Sequence, residues 1–334
     1  MLEGGDVMKR KILAVLFSVL FGLSAGFAFG AADYPKRDIK VIVPWAAGGG
    51  SDLDTRVMCK YLTEVLGVSL VVVNMPGAGA VIGIKSLMNS PPDGYTIGSG
   101  IAALNLTFYP KFVKDAGINR GSITPLFKYD LVPLVIVVKS DAPWKTFPDF
   151  LADAKKRPDH FKHGSYGEIS LSHIAMAMVN HDVGTKTKHI PFKSSGESLT
   201  ALMGGHVDIV ASAGLPAGLL EAGKVRPLAV VGSERIHLLP NVPTLKELGY
   251  PVVVDIEHGF FCSNETPRAI QERLIQAGKK AFEVHGEKIK KDLAAIQMTP
   301  DWAGQEAYQK IIVDSEKMYD HMIKTLNLRT FPAK

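Results

Sequence analysis

Residues 39–54 read Ile-Lys-Val-Ile-Val-Pro-Trp-Ala-Ala-Gly-Gly-Gly-Ser-Asp-Leu-Asp. Ile39 to Val43 is a short apolar run, broken only by Lys40 and ended by Pro44, as a buried strand would be. Gly48, Gly49 and Gly50 follow, then Ser51, placed to cap a helix with Asp52 and Asp54 in its first turn. Leu53, Val57, Met58, Tyr61, Leu62, Val65 and Leu66 form an apolar stripe at helical spacing, closed by Gly67. Leu70–Val73 is the next strand, Asn74-Met75-Pro76-Gly77 a turn, and Ala80–Asn89 a second helix stopped by Pro91-Pro92-Asp93-Gly94. A βαβα order implies a parallel sheet with helices packed on it.

The alternation continues. Strands are expected at Val132–Val138, Lys162–Tyr166, Lys188–Phe192, Val207–Ser212 and Arg226–Val231, and helices at Phe147–Lys156, Ser170–Asn180 and Glu197–Met203. Val252–Cys262 is a long extended run, and three helical stretches fill Pro267–Leu326. Between Gly98 and Tyr129 the pattern assigns no element.

The amino terminus carries the one long apolar run. Lys9, Arg10 and Lys11 form a basic start, Ile12–Ala25 is apolar apart from small residues, and Gly30-Ala31-Ala32 offers a cleavage site before Asp33. Residues 1–32 are therefore expected to be a cleaved signal peptide and the protein to be periplasmic. The alternative is an uncleaved anchor; Met8 is an alternative start. No Cys follows the run for acylation. A single such run excludes a polytopic membrane protein.

Over 334 residues the chain carries a formal net charge of +5 with both signs interspersed, and it shows no basic stripe and no nucleic-acid-binding motif. Two cysteines, Cys59 and Cys262, cannot build a disulfide framework and are expected to be unpaired. Gly77, Gly79 and Gly83 are spaced one residue off a dinucleotide fingerprint, and no P-loop is present. His163-Gly164-Ser165-Tyr166-Gly167 approaches a nucleophile elbow but has His163 where Gly is needed. His160, His163, His173, His181 and His189 crowd one stretch at spacings that match no ligand pattern, so neither metal nor cofactor is expected. The glycine loop has two readings: a tight strand–helix turn, or a helix N-terminus whose unpaired amides hold an anion.

Taken in order, several short segments resemble the substrate-binding proteins of tripartite tricarboxylate transporters, the Bug/TctC-type family. They are Val43–Asp52, Asn74–Gly79, Pro92–Thr96, Pro191–Lys193 with Leu199, Gly204–Asp208, Gly223–Val230 and Leu239–Thr244. The resemblance implies an α/β fold of the periplasmic binding protein type (type II), with two α/β domains around a ligand cleft. Domain 1 would be discontinuous, residues 33–131 and 255–334, and domain 2 would be 132–254. The function implied is that of an extracytoplasmic receptor, not an enzyme, which captures a small organic acid, a di- or tricarboxylate or similar carboxylate, and delivers it to the membrane permease subunits of a tripartite tricarboxylate-type transporter, as a monomer. The ligand residues carried over are Trp45, Ala46, Ala47, Gly48, Gly49, Gly50 and Ser51 from the first loop. Asn74, Gly77, Ala78 and Gly79 edge the cleft, and Ser165, Glu168, Ser170 and His173 come from a second loop. Lys193 is either a counter-charge or solvated. Glu168 repels a second carboxylate, pairs with an ammonium, or faces solvent. Two other readings stay open: an exported α/β hydrolase using Ser165 or His173, and a sensor subunit with the same fold.

Overall fold

The computed structural model describes residues 34–100, 117–168, 170–236 and 238–326. The expected signal peptide lies outside them, as does Ile169 of the second loop. The chain divides at Lys36, and the fold described is that of the unit beginning at Arg37.

The elements are β1 (Ile39–Val43), α1 (Gly50–Leu66), β2 (Leu70–Asn74), α2 (Val81–Met88), β3 (Thr96–Gly100) and β4 (Ile123–Lys139), then α3 (Phe147–Lys156), β5 (Lys162–Ser165), α4 (Leu171–Val183), β6 (Lys188–Pro191) and α5 (Ser195–Met203). They continue with β7 (Ile209–Ala213), α6 (Ala217–Glu221), β8 (Val225–Val230), β9 (Asp255–Ser263), α7 (Arg268–Ala295), β10 (Thr299–Ala303) and α8 (Gln305–Thr325). Among the described residues no helix is long and apolar enough to cross a membrane.

The strands run β2-β1-β3-β9-β4-β7-β5-β6, with β8 and β10 also paired to β4. β1 pairs in parallel with β2 and β3, and its four apolar residues are almost fully buried. β4 is the spine. Its residues Ile123–Pro133 pair antiparallel with β9, and Leu134–Lys139 pair with β7 and β8. β5, β6 and β7 are mutually parallel, as the strand–helix alternation predicts. At Gly98 in β3 a Cβ would stand 2.1 Å from the Phe261 ring of β9, so the two strands close up only over a glycine.

The structure departs from the sequence reading in three places. The helix N-cap is Gly49, and Ser51 lies inside the first turn. The face of α1 is rotated: Leu53 is 39% exposed, whereas Asp54 and Thr55 are fully buried. Residues Pro267–Leu326 hold two helices, with β10 between them, rather than three helical stretches. The segment that assigned no element contains β3 and the first half of β4. In that half Pro125, Lys128 and Asp130 interrupt the hydrophobic alternation, although Lys128 and Asp130 are themselves buried. By contrast α3 has its expected bounds, set by a Thr146–Asp149 capping box.

Candidate functional site

The first loop connects the buried end of β1 to the start of α1. Gly48 adopts a left-handed φ of 78°, which needs glycine, while Gly49 is extended. Asp52 ties the loop down: one oxygen accepts from the Gly48 amide at 2.9 Å, and the other accepts from Asn74 Nδ2 and Arg56 Nε. Burial opposes ionisation of Asp52, but the hydrogen bonds from Arg56, Gly48 and Asn74 hold its carboxyl below the usual range. Asn74 Nδ2 also donates to the Trp45 carbonyl, so the Asn74 turn and the first loop form one piece. Ala46, Ala47, Gly48 and Gly49 are exposed, and Gly50 partly so. Trp45 packs half-buried against the core around Ile42, Ile84 and Phe261, with its Nε1 unpaired. Gly77 is exposed, and Ala78 and Gly79 form a short 3-10 turn before α2.

Beneath this loop lies a polar cluster that sequence reasoning missed. Ser51 Oγ is 3.0 Å from His258 Nε2 on β9; His258 Nδ1 contacts Asp54 Oδ2 of α1 and lies 3.4 Å from Asp130 Oδ1 of β4. Tyr129 donates to Asp54 Oδ1, and Thr55 and Ser99 complete a belt of hydroxyls. His258, Asp54 and Asp130 are buried to within 2%. Burial alone would lower the His258 pKa, but the charges of Asp54 and Asp130 raise it to about 10. Burial and the Asp54 charge push the Asp130 carboxyl up to about 8, against the pull of His258. The cluster therefore retains protons at neutral pH that the free groups would release.

This protonation decides what Ser51 can do. The three side chains have the outline of a serine–histidine–aspartate set, yet a general base needs a vacant lone pair. His258, held as imidazolium between two acidic side chains, has none. Its Nε2–H donates to Ser51 Oγ, which leaves the Ser51 hydroxyl proton available to another acceptor in the first turn of α1. The arrangement suits holding an anion and does not suit making a nucleophile.

The second loop follows β5. Ser165 is fully buried and donates to the Gly167 carbonyl, Ser170 donates to the same carbonyl, and Ser170 caps α4 by accepting from the His173 amide. Ser172 Oγ accepts from the Tyr166 amide. Glu168 is exposed, and Lys193 is exposed beside the N-terminus of α5. The Phe192 amide bonds the Ser165 carbonyl, which joins the Phe192–Lys193 turn to this loop. His163 and His189 meet His173 here: the His173 and His189 rings stack at 3.6 Å, and His163 is 5.0 Å from His189. Burial holds His173 down to about 4 and, with His173 beside it, His189 down to about 3; burial and both neighbours hold His163 well below the ordinary histidine range.

One residue pair touches elements near both loops. A Cβ at Gly50 would lie 3.1 Å from Met298 Cε, and one at Gly214, after β7, 4.0 Å from the same atom. The adjoining Gln297 accepts from the Leu215 amide through its Oε1. Cys59 and Cys262 are both buried free thiols.

An α/β fold with a polar helix N-terminus under a glycine loop is the architecture of the periplasmic solute-binding proteins, and solved structures of that class superpose on it. A crystal structure of a TctC solute binding protein from Polaromonas is 30% identical, with a TM-score of 0.69 over 87% of this chain and 99% of its own. An R. palustris protein solved with adipate is 26% identical, with a TM-score of 0.79 over 89% and 99%. The Cupriavidus necator "UPF0065 protein in gbd 5'region" is 32% identical over 309 residues, 92% of this chain and 93% of that protein. Residues 55–328 match the profile described as "Tripartite tricarboxylate transporter family receptor". The chain belongs to that family, whose members are periplasmic solute-binding receptors of transport systems.

Proposed function

We propose that this chain is an exported receptor, not an enzyme, that captures a small di- or tricarboxylate and delivers it to the membrane permease subunits of a tripartite tricarboxylate-type transporter. The carboxylate sits in a cleft between two α/β domains, residues 33–131 with 255–334 and residues 132–254. The first and second loops grip it from opposite sides. The change of β4 partners between Pro133 and Leu134 supports a hinge there, with the return crossing near Asp255 where β9 begins. Closure onto the ligand then shifts an open–closed equilibrium.

The observation that carries this reading is the His258–Ser51 pair at the N-terminus of α1. A helix N-terminus favours negative charge. Here the hydroxyl in its first turn is fixed as a donor by an imidazolium behind it. The adipate found with the R. palustris relative is a ligand of the same chemical class. Glu168, exposed beside the second loop, would disfavour a further negative charge there and so prefers a ligand with its second carboxylate placed elsewhere.

The test is a thermal-shift and calorimetric panel of adipate, malate, citrate, amino acids and neutral metabolites. Ligand at 100 times its dissociation constant stabilises the fold by about 2.7 kcal/mol. A shift with a carboxylate that is recovered unchanged is expected. Ser51→Ala should weaken that ligand about tenfold, the loss of one hydrogen bond to a charged group. Gly49→Val should abolish binding while the protein stays folded, because Gly49 is already extended and its Cβ would meet only the Ala46 carbonyl, at 3.3 Å. Turnover of the ligand, or full affinity in both variants, would overturn the reading.

A further inference from the structure

The geometry points to a divalent metal site formed by His163, His173 and His189, one residue each from β5, α4 and β6, taking a borderline ion such as Zn²⁺ or Co²⁺. One nitrogen from each ring lies within 4.8 Å of one nitrogen of the other two. Three imidazoles that leave a fourth position open are a donor set these ions favour.

The surrounding hydroxyls settle which nitrogens are free to bind. His163 Nδ1 is 2.8 Å from Thr187 Oγ1, which also lies 3.0 Å from Asn180 Nδ2 and 3.2 Å from Asn180 Oδ1. With the Thr187 proton on Asn180 Oδ1, His163 Nδ1–H donates to Thr187 and Nε2 keeps its lone pair. That Nε2 is buried and has no hydrogen-bonding partner. His189 Nε2 is 2.7 Å from Ser165 Oγ, whose proton goes to the Gly167 carbonyl. By the same logic His189 donates through Nε2 and leaves Nδ1 unprotonated. In both residues an oxygen behind the ring fixes the tautomer, as outer partners do for metal-bound histidines. Because a metal lies in the plane of each imidazole, loading must turn His173 and His189 out of their stack, whose planes are now 6° apart.

The site shares His173 and Ser165 with the second loop, so its test uses no organic ligand and reads metal binding alone. Tag-free protein is dialysed against Zn²⁺, and separately titrated with Co²⁺ while its visible absorption is recorded. One equivalent of Zn²⁺ and the intense visible bands of four-coordinate Co²⁺ are expected. The double variant His173→Ala/His189→Ala should bind at least 100-fold more weakly. His163→Gln, which tests the buried ligand alone, should lose the Co²⁺ bands. Single changes at the exposed His181 and His206 should alter nothing. Circular dichroism melts establish that each variant is folded. Absence of stoichiometric binding by the unaltered protein, survival of binding in the double variant, or its loss on changing His181 or His206 would each overturn the assignment.

Discussion

Two histidine clusters, one on β9 beside α1 and β4 and the other on β5, α4 and β6, resolve the same problem in opposite ways. His258 is surrounded by carboxylates and keeps its charge, whereas His163, His173 and His189 are surrounded by one another and by neutral hydroxyls and give theirs up. Burial penalises charge at both places, and the sign of the neighbours decides the outcome. Near the first loop this gives a cation behind an anion-facing hydroxyl. Near the second it gives lone pairs.

Removing the cation from the first cluster is the most severe way to break the contrast. His258→Gln leaves Asp54 buried without its cationic partner, beside an Asp130 that is mostly protonated at neutral pH, and should cost about 3–5 kcal/mol in a urea melt. The corresponding change in the second cluster, His163→Gln, removes no charge and should cost clearly less. Equal losses would mean that His258 is neutral in the folded protein.

The pH dependence of stability sharpens the comparison, with an effect of about 1.4 kcal/mol per pH unit for each proton taken up or released. His258 has a folded pKa raised to about 10, so its contribution is complete below the ordinary histidine value and is lost as pH rises towards 10, whereas Asp130, raised to about 8, loses its contribution between about pH 4 and pH 8. Glu257, pushed up to about 7 mainly by burial, loses its contribution earlier, between the ordinary glutamate value and about pH 7. The second cluster has lowered values, so its contribution is complete above the ordinary histidine pKa and disappears as pH falls towards 4 and 3. Melts from pH 4 to pH 10 should show an alkaline flank of loss and, below pH 7, an acid flank in which the histidine and carboxyl contributions oppose each other. His258→Gln should flatten only the alkaline one and His163→Gln only the acid one.

The smallest expected effect concerns how the loops are braced. The first is held by the ionised Asp52, the second by serine hydroxyls. Ser170→Ala removes the cap of α4 and one bond to Gly167, a loss of about 1 kcal/mol. That loss should not vary with salt, whereas the loss from Asp52→Asn should shrink as salt is added.

The alternation of strand and helix and the glycine loop were legible in the sequence because each is a local pattern. The clusters were not. Ser51 and His258 are 207 residues apart, and the position of Asp130 inside a strand makes that strand look like a loop. Asp54 and Thr55 broke the expected α1 stripe for the same reason: their partners, Tyr129 and His258, arrive from strands far along the chain. His163, His173 and His189 were noticed together but matched no ligand spacing, because β5, α4 and β6 set their separation. A register of parallel strands, with His163 opposite His189, replaces a sequence motif there.

The shared strand β4 also sets a timetable for synthesis. Its distal half finds β7 and β8 within the next hundred or so residues of chain, so that part of the sheet is expected to form while translation continues. Its proximal half must wait for β9 and β10. Until they emerge, Lys128 and Asp130 stay hydrated on an unpaired strand. The most costly desolvation in the molecule is thus postponed to the last stage of assembly, when His258 and Asp301 arrive on the strands that cover them.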